Sequence, residues 1–167
     1  MNLKGEYTFS STAEEVYDRL LDPDVLRECM PGCEALEKVG ENRFEISFGV
    51  PIPAVSGTYD GTIEVVDPIR PSSFTMNIDA KGTGGFVRAE ARLEIEPQGP
   101  SALVRYEADM HIGGAAASVG QRVITGMSRR QIAQMMMRLD RKKKLGLMAR
   151  AKEWVARVFG GRQAESD

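Results

Sequence analysis

Period-two alternation of apolar and polar residues dominates the middle of the chain. In 43–51, Phe44, Ile46, Phe48 and Val50 alternate with Arg43, Glu45, Ser47 and Gly49. In 57–66, Tyr59, Ile63 and Val65 alternate with Asp60, Thr62 and Glu64. Phe74, Met76, Ile78 and Ala80 share one face of 73–80. Val87, Ala89, Ala91, Leu93 and Ile95 alternate without a break in 86–96, and Val104, Tyr106, Ala108, Met110 and Ile112 do so in 103–112. Such segments are strands with one buried and one wet face. Asp67-Pro68, Gly82 with Gly84-Gly85, and Pro97-Gln98-Gly99-Pro100 separate them by short turns, which imply antiparallel neighbours.

The flanks read differently. Residues 3–9 form a first strand with Tyr7 and Phe9 on one face. Thr12 and Glu15 make a capping box that starts a helix over 12–20. Asp22-Pro23 starts a second short helix, which Pro31-Gly32 ends. After Gly113-Gly114 a long helical stretch carries Val119, Val123, Met127, Ile132, Met136 and Leu139 on its apolar side. The order predicts an α+β fold, with a curved antiparallel sheet of about seven strands wrapped around a long C-terminal helix. That helix is the only predicted element large enough to cover the sheet.

The inward positions include Ala80, Ala89, Ala91 and Ala108, and the long helical stretch starts with Ala115, Ala116, Ala117, Ser118 and Gly120. Small residues either permit close packing or leave space, and the curvature of the sheet favours space. Candidate ligand-binding residues are Phe48, Tyr59, Phe74, Phe86, Ala89, Ala91, Tyr106 and Met110 from the strands, with Val119, Val123 and Met127 from the helical stretch.

Composition changes this picture little. The 167 residues suffice for one core without disulfides or a metal. Cys29 and Cys33 read as reduced thiols, since C-x-x-x-C lacks two of the usual four zinc ligands and His111, the single histidine, is distant. No signal-peptide pattern and no run of about 18 apolar residues stands out, so the expected compartment is the cytoplasm. No catalytic constellation appears. His111, Glu90, Glu94, Glu107 and Asp109 share outward parity and read as a solvated sheet face. Gly82-Thr83-Gly84-Gly85 precedes a strand rather than a helix, so it reads as a hairpin turn and not a phosphate loop.

Charge changes more. Residues 1–137 carry 13 Lys and Arg against 20 Asp and Glu, whereas 138–167 carry 9 against 4. This divides the chain into a folded domain over 1–140 and a basic tail over 141–167. Arg141, Lys142, Lys143 and Lys144 form a cluster, and beyond it Leu147, Met148, Ala151, Trp154, Val155, Val158 and Phe159 fall on one helical arc. A basic amphipathic helix of this form suits the surface of an anionic membrane, with Arg141, Lys142, Lys143, Lys144, Trp154, Val155, Val158 and Phe159 as the binding residues. The competing occupant of its apolar face is the protein body or a second subunit, which would make a homodimer. An acidic body disfavours nucleic acid.

Five pieces of sequence carry a resemblance. They are Leu21-Asp22-Pro23 with Leu26; Cys29-Met30-Pro31-Gly32-Cys33 leading to Leu36-Glu37; Gly57-Thr58-Tyr59-Asp60-Gly61; Gly82 with Gly84-Gly85-Phe86; and Gly113-Gly114 with Ala117 and Val119-Gly120-Gln121-Arg122. In this order, across roughly residues 3–140, the chain resembles the G-type accessory protein of carbon monoxide dehydrogenase, a family within the START-like and Bet v 1-like superfamily. The resemblance implies a helix-grip fold with a deep hydrophobic pocket. It implies an accessory role beside a molybdenum hydroxylase, recruiting that enzyme to the membrane or carrying a quinone or other isoprenoid lipid for it. It implies no catalytic residues and no covalently bound cofactor. The alternative is a cyclase- or hydrolase-like enzyme of the same superfamily, for which Tyr59 and Tyr106 are the inward polar candidates.

Overall fold

The structure is a computed structural model that describes residues 1–159, except the side chains of 143–154 and 159. Ten main elements follow one another: β1 (Asn2–Phe9), α1 (Ala13–Leu20), α2 (Pro23–Cys29), β2 (Cys33–Gly40), β3 (Arg43–Val50), β4 (Gly57–Ile69), β5 (Ser73–Gly82), β6 (Gly85–Gln98), β7 (Ser101–Gly113) and α3 (Gln121–Phe159). Short 3-10 turns over Pro53–Val55 and Gly114–Val119 join β3 to β4 and β7 to α3. The strands form one seven-stranded sheet in the order β1-β7-β6-β5-β4-β3-β2. Every neighbouring pair is antiparallel.

Local chemistry sets the early helices. The Thr12 hydroxyl accepts from the Glu15 amide at 3.4 Å, and the Glu15 carboxylate accepts from the Thr12 amide at 3.3 Å. Asp22 accepts from the amides of Asp24 at 3.0 Å and Val25 at 3.4 Å, ahead of a proline at the first helical position. These bonds satisfy amides that helix starts leave unpaired. Gly32, at φ +78°, then turns the chain into β2 and accepts from the Gly49 amide at 2.8 Å.

The sequence pattern does not locate β2. A register shift between Cys33 and Ala35 breaks its period of two, so Leu36 rather than Ala35 faces the core.

The concave face is covered in two parts, not by the long helix alone. At one end α1 buries Ala13, Val16, Tyr17 and Leu20, and the Tyr17 ring meets Phe74 edge-on at 5.5 Å. Met136 and Leu139 of α3 complete that end at 2% and 0% exposure. Polar contacts fix α3 there. Asp140 accepts from the Tyr7 hydroxyl at 3.2 Å, the Ser10 amide at 3.0 Å and the Ser10 hydroxyl at 2.8 Å. Arg19 donates to the Leu139 carbonyl at 2.7 Å and also to the Ser11 hydroxyl. Toward its N-terminus, α3 has Ile124, Met127, Ser128 and Ile132 only half-buried.

Two expectations for the long helix change. Val119 belongs to the 3-10 turn, and Gly120 at φ +99° separates it from α3, so Val119 and Val123 do not share a helical face. The boundary drawn between 140 and 141 falls inside α3.

Candidate functional site: an apolar cavity

Burial falls along the concave face. Phe44, Ile63, Phe74, Leu93, Ile95 and Val104 are buried, whereas Phe48, Val50, Met76, Ile78, Ala89, Met110 and Ile112 are half-buried despite facing inward. The residual exposure comes from an internal space. A cavity of about 370 Å³ lies between the sheet and the N-terminal half of α3. That is within the roughly 300–1,000 Å³ typical of small-molecule sites. Leu3, Leu20, Phe74 and Leu93 line its deep end; Val50, Ile52, Val119 and Ile124 line its half-buried end. Among the described residues no charged side chain lines it, and of those that do only Tyr59, Tyr106, Ser128 and Gln131 carry polar side-chain atoms.

The two tyrosines differ. Tyr59 is 2% exposed, donates its hydroxyl to the Val55 carbonyl at 3.3 Å, and stacks on Phe48 with ring centroids 5.7 Å apart. The glycine-rich β5–β6 turn makes room for it: a Cβ on Gly84 would lie 2.2 Å from its hydroxyl oxygen and one on Gly82 2.7 Å from its ring. Tyr106 lies over Gly5, its partner across β1 and β7, where a Cβ would come within 2.2 Å of its hydroxyl oxygen. Burial raises the Tyr106 phenol above its ordinary range, partly offset by the Arg129 guanidinium, so it stays protonated at neutral pH. The cavity thus offers hydroxyl and amide hydrogen bonds in an apolar surround. Such a lining suits a largely hydrophobic molecule carrying a few polar atoms.

Of the eleven candidate ligand-binding residues, Phe48, Tyr59, Phe74, Ala89, Ala91, Tyr106, Met110, Val119 and Met127 line the cavity. Phe86 does not: it has the outward parity of Arg88, whose guanidinium lies 5.2 Å from its ring centroid. Val123 does not either: it is 49% exposed, turned about 100° around α3 from its neighbour Ile124, which does line the cavity. The sequence pattern misses Leu26, Met30 and Pro31, which α2 and its end bring to the cavity, because so short a helix shows no clear periodicity. Met76, Ile78, Val87 and Ile112, outside the candidate set, line it through the same inward parity as their neighbours. The methionine run splits: Met135 and Met136 line the cavity and Met137 is 43% exposed.

The remaining groups lie outside the cavity. Glu90, Glu94, Glu107, Asp109 and His111 are exposed on the convex face. Cys29 is buried and Cys33 half-buried, both as free thiols, and burial pushes both thiol pKa values up. Protonated thiols are poor nucleophiles and poor metal ligands. Arg141 is exposed, whereas the Lys142 ammonium pairs with Glu28 of α2. Val155 and Val158 are 46% and 47% exposed. The side chains of Lys143, Lys144, Trp154 and Phe159 lie outside the described residues. Among the described residues, no helix is long and apolar enough to cross a membrane.

A curved antiparallel sheet gripping a C-terminal helix across an apolar cavity defines a START-like, Bet v 1-like helix-grip protein. The chain belongs to the carbon monoxide dehydrogenase CoxG family, whose model matches residues 5–143. It is similar to a conserved protein from Geobacillus kaustophilus, with 31% identity and a TM-score of 0.81 over 85% of this chain and 94% of that one. A START superfamily protein from Mycobacterium smegmatis shares the fold at 12% identity, with a TM-score of 0.68 over 86% of this chain and 98% of that one. Truncated norcoclaurine synthase from Thalictrum flavum does so at 15% identity, with a TM-score of 0.59 over 84% of this chain and 91% of that one. No curated protein matches the sequence.

Proposed function

We propose that this protein is a non-catalytic carrier that holds an isoprenoid quinone or similar lipid in its cavity and serves a molybdenum hydroxylase such as carbon monoxide dehydrogenase. The observation that carries the reading is the uncharged cavity of about 370 Å³ in a chain of this family. Burying about 300 Å² of ligand apolar surface would contribute on the order of 7 kcal/mol before association costs. Tyr106, Ser128 and Gln131 supply the few polar contacts that a quinone carbonyl requires. The C-terminal segment 141–167 adds attraction to an anionic membrane through its basic cluster and its apolar arc. The carrier works in the cytoplasm, peripheral to the inner face of the cell membrane.

The test is electron delivery. A molybdenum hydroxylase is supplied with its substrate, and with quinone only as the preloaded complex. The expected result is quinone reduction several-fold faster than with the same quinone dispersed alone. A rate no higher than that of dispersed quinone would overturn the carrier role.

A further inference from the structure

From its first residue, Gln121, to Lys142, α3 holds a single acidic residue, Asp140. Its half-buried carboxylate is already engaged by Tyr7 and Ser10. The same span holds Arg122, Arg129, Arg130, Arg138 and Arg141, all exposed. None of the five forms an ion pair among the described residues. On the sheet, by contrast, Lys4 pairs with Glu107, Arg88 with Asp79, Arg92 with Glu94 and Arg105 with Glu96. The arginine stripe runs about 28 Å along the helix axis, at about 1.5 Å per residue.

The residues between the arginines are those of a protein contact. Gln121, Val123, Gly126, Ala133, Gln134 and Met137 are exposed, and no lysine occurs in α3 before Lys142. Protein interfaces are enriched in arginine and methionine and depleted in lysine and carboxylates. Gly126 leaves open space where a Cβ would stand, and with Gln121, Arg122, Thr125 and Arg129 it shapes a shallow groove. A bilayer would require a continuous apolar strip, whereas Val123 and Met137, the large apolar side chains exposed over this span, stand about four turns apart. A second copy is a poor occupant. Two such stripes repel across a symmetric interface, and the carboxylate-bearing convex face of the sheet lies on the opposite side of the domain, so pairing stripe to sheet would run head to tail.

We propose that the outer face of α3 is the docking surface for a carboxylate-rich patch on the molybdenum hydroxylase that this protein serves. The proposal rests on the accessory reading for that partner's identity and adds the surface and its chemistry. Guanidinium groups match carboxylates through two parallel hydrogen bonds, so the contact needs arginine and not positive charge alone. The partner lies on the helix whose inner side, through Ile124, Met127, Ser128 and Gln131, lines the cavity. A docked enzyme therefore bears directly on the cover of the cargo.

Surface plasmon resonance tests this with the full chain over an immobilised hydroxylase of the carbon monoxide dehydrogenase type, purified from the same host. Arg122→Glu with Arg130→Glu, both at exposed positions, should raise Kd at least about tenfold with no change in melting temperature. Arg122→Lys with Arg130→Lys should raise it about threefold, since the charge is kept and the planar fork is lost. Glu90→Lys, on the convex face of the sheet, should leave it unchanged. A Kd within about twofold of the unsubstituted value in the glutamate variant would overturn the surface and leave the accessory reading standing. No measurable binding by the unsubstituted chain would defeat both. Loss of phosphatidylglycerol-vesicle binding or of self-association in the glutamate variant, with hydroxylase binding intact, would overturn the proposal by assigning the stripe to a membrane or to a second copy.

Discussion

Ala89→Trp is expected to cut the affinity for an apolar ligand at least a hundredfold, while leaving the melting temperature unchanged or raised. Ala89 sits on β6, aligned with Ile78 of β5 and Met110 of β7, and all three line the cavity half-buried. An indole placed there occupies the space the ligand needs, and a Trp side chain covers about 150–250 Å². A hundredfold loss is about 2.7 kcal/mol, well below the roughly 7 kcal/mol that full burial of the ligand would contribute. Overpacking ordinarily destabilises, but here the added ring enters empty volume rather than a filled core. Displacement of an apolar fluorophore measures the affinity, and thermal unfolding measures the stability. Full binding would place the ligand elsewhere. A lost affinity together with a much lower melting temperature would indicate a core already filled.

Leu139→Ala is expected to cost about 2–5 kcal/mol of stability. Leu139 is 0% exposed and packs in the core at the middle of α3, where contacts of Asp140 and Arg19 hold the helix. For a domain of this size, the loss corresponds to a fall in melting temperature on the order of 10 °C. The polar bonds to Asp140 and to the Leu139 carbonyl remain in the variant, so the change isolates the apolar anchor. Hydrogen exchange should quicken most along 121–139, because the N-terminal half of α3 has fewer buried contacts of its own. A cost below about 1 kcal/mol would mean that α3 is held by its hydrogen bonds rather than by this packing.

Much of this is legible in the sequence because strand parity and cavity lining depend on the same alternation. The run from Val87 to Ile95 indicates which side chains of β6 face inward, and nine of the eleven candidate ligand-binding residues line the cavity. The misses have local causes. A bulge hides β2 by shifting its period after Cys33. Gly120 breaks the helix between Val119 and Val123, so their spacing of four carries no information, and the true inward face begins one residue later at Ile124. The role of α1 as a cover is hard to read because its core residues, Val16, Tyr17 and Leu20, number few in a short helix. Phe86 lies one residue out of the inward register, and its parity alone places it outside. The glycine turn at 82–85 reads as a backbone feature, whereas Gly82 and Gly84 also leave room for the Tyr59 ring, a contact between distant positions that no local pattern reveals.

The carrier role stands or falls on whether the cavity holds an apolar molecule. Organic extraction of protein purified from its native host without detergent, followed by mass spectrometry, answers this, with Ala89→Trp alongside. About one isoprenoid-class molecule per chain is expected in the unsubstituted protein and none in the variant. Equal amounts in both, or no apolar molecule in either together with no uptake of added quinone, would contradict it.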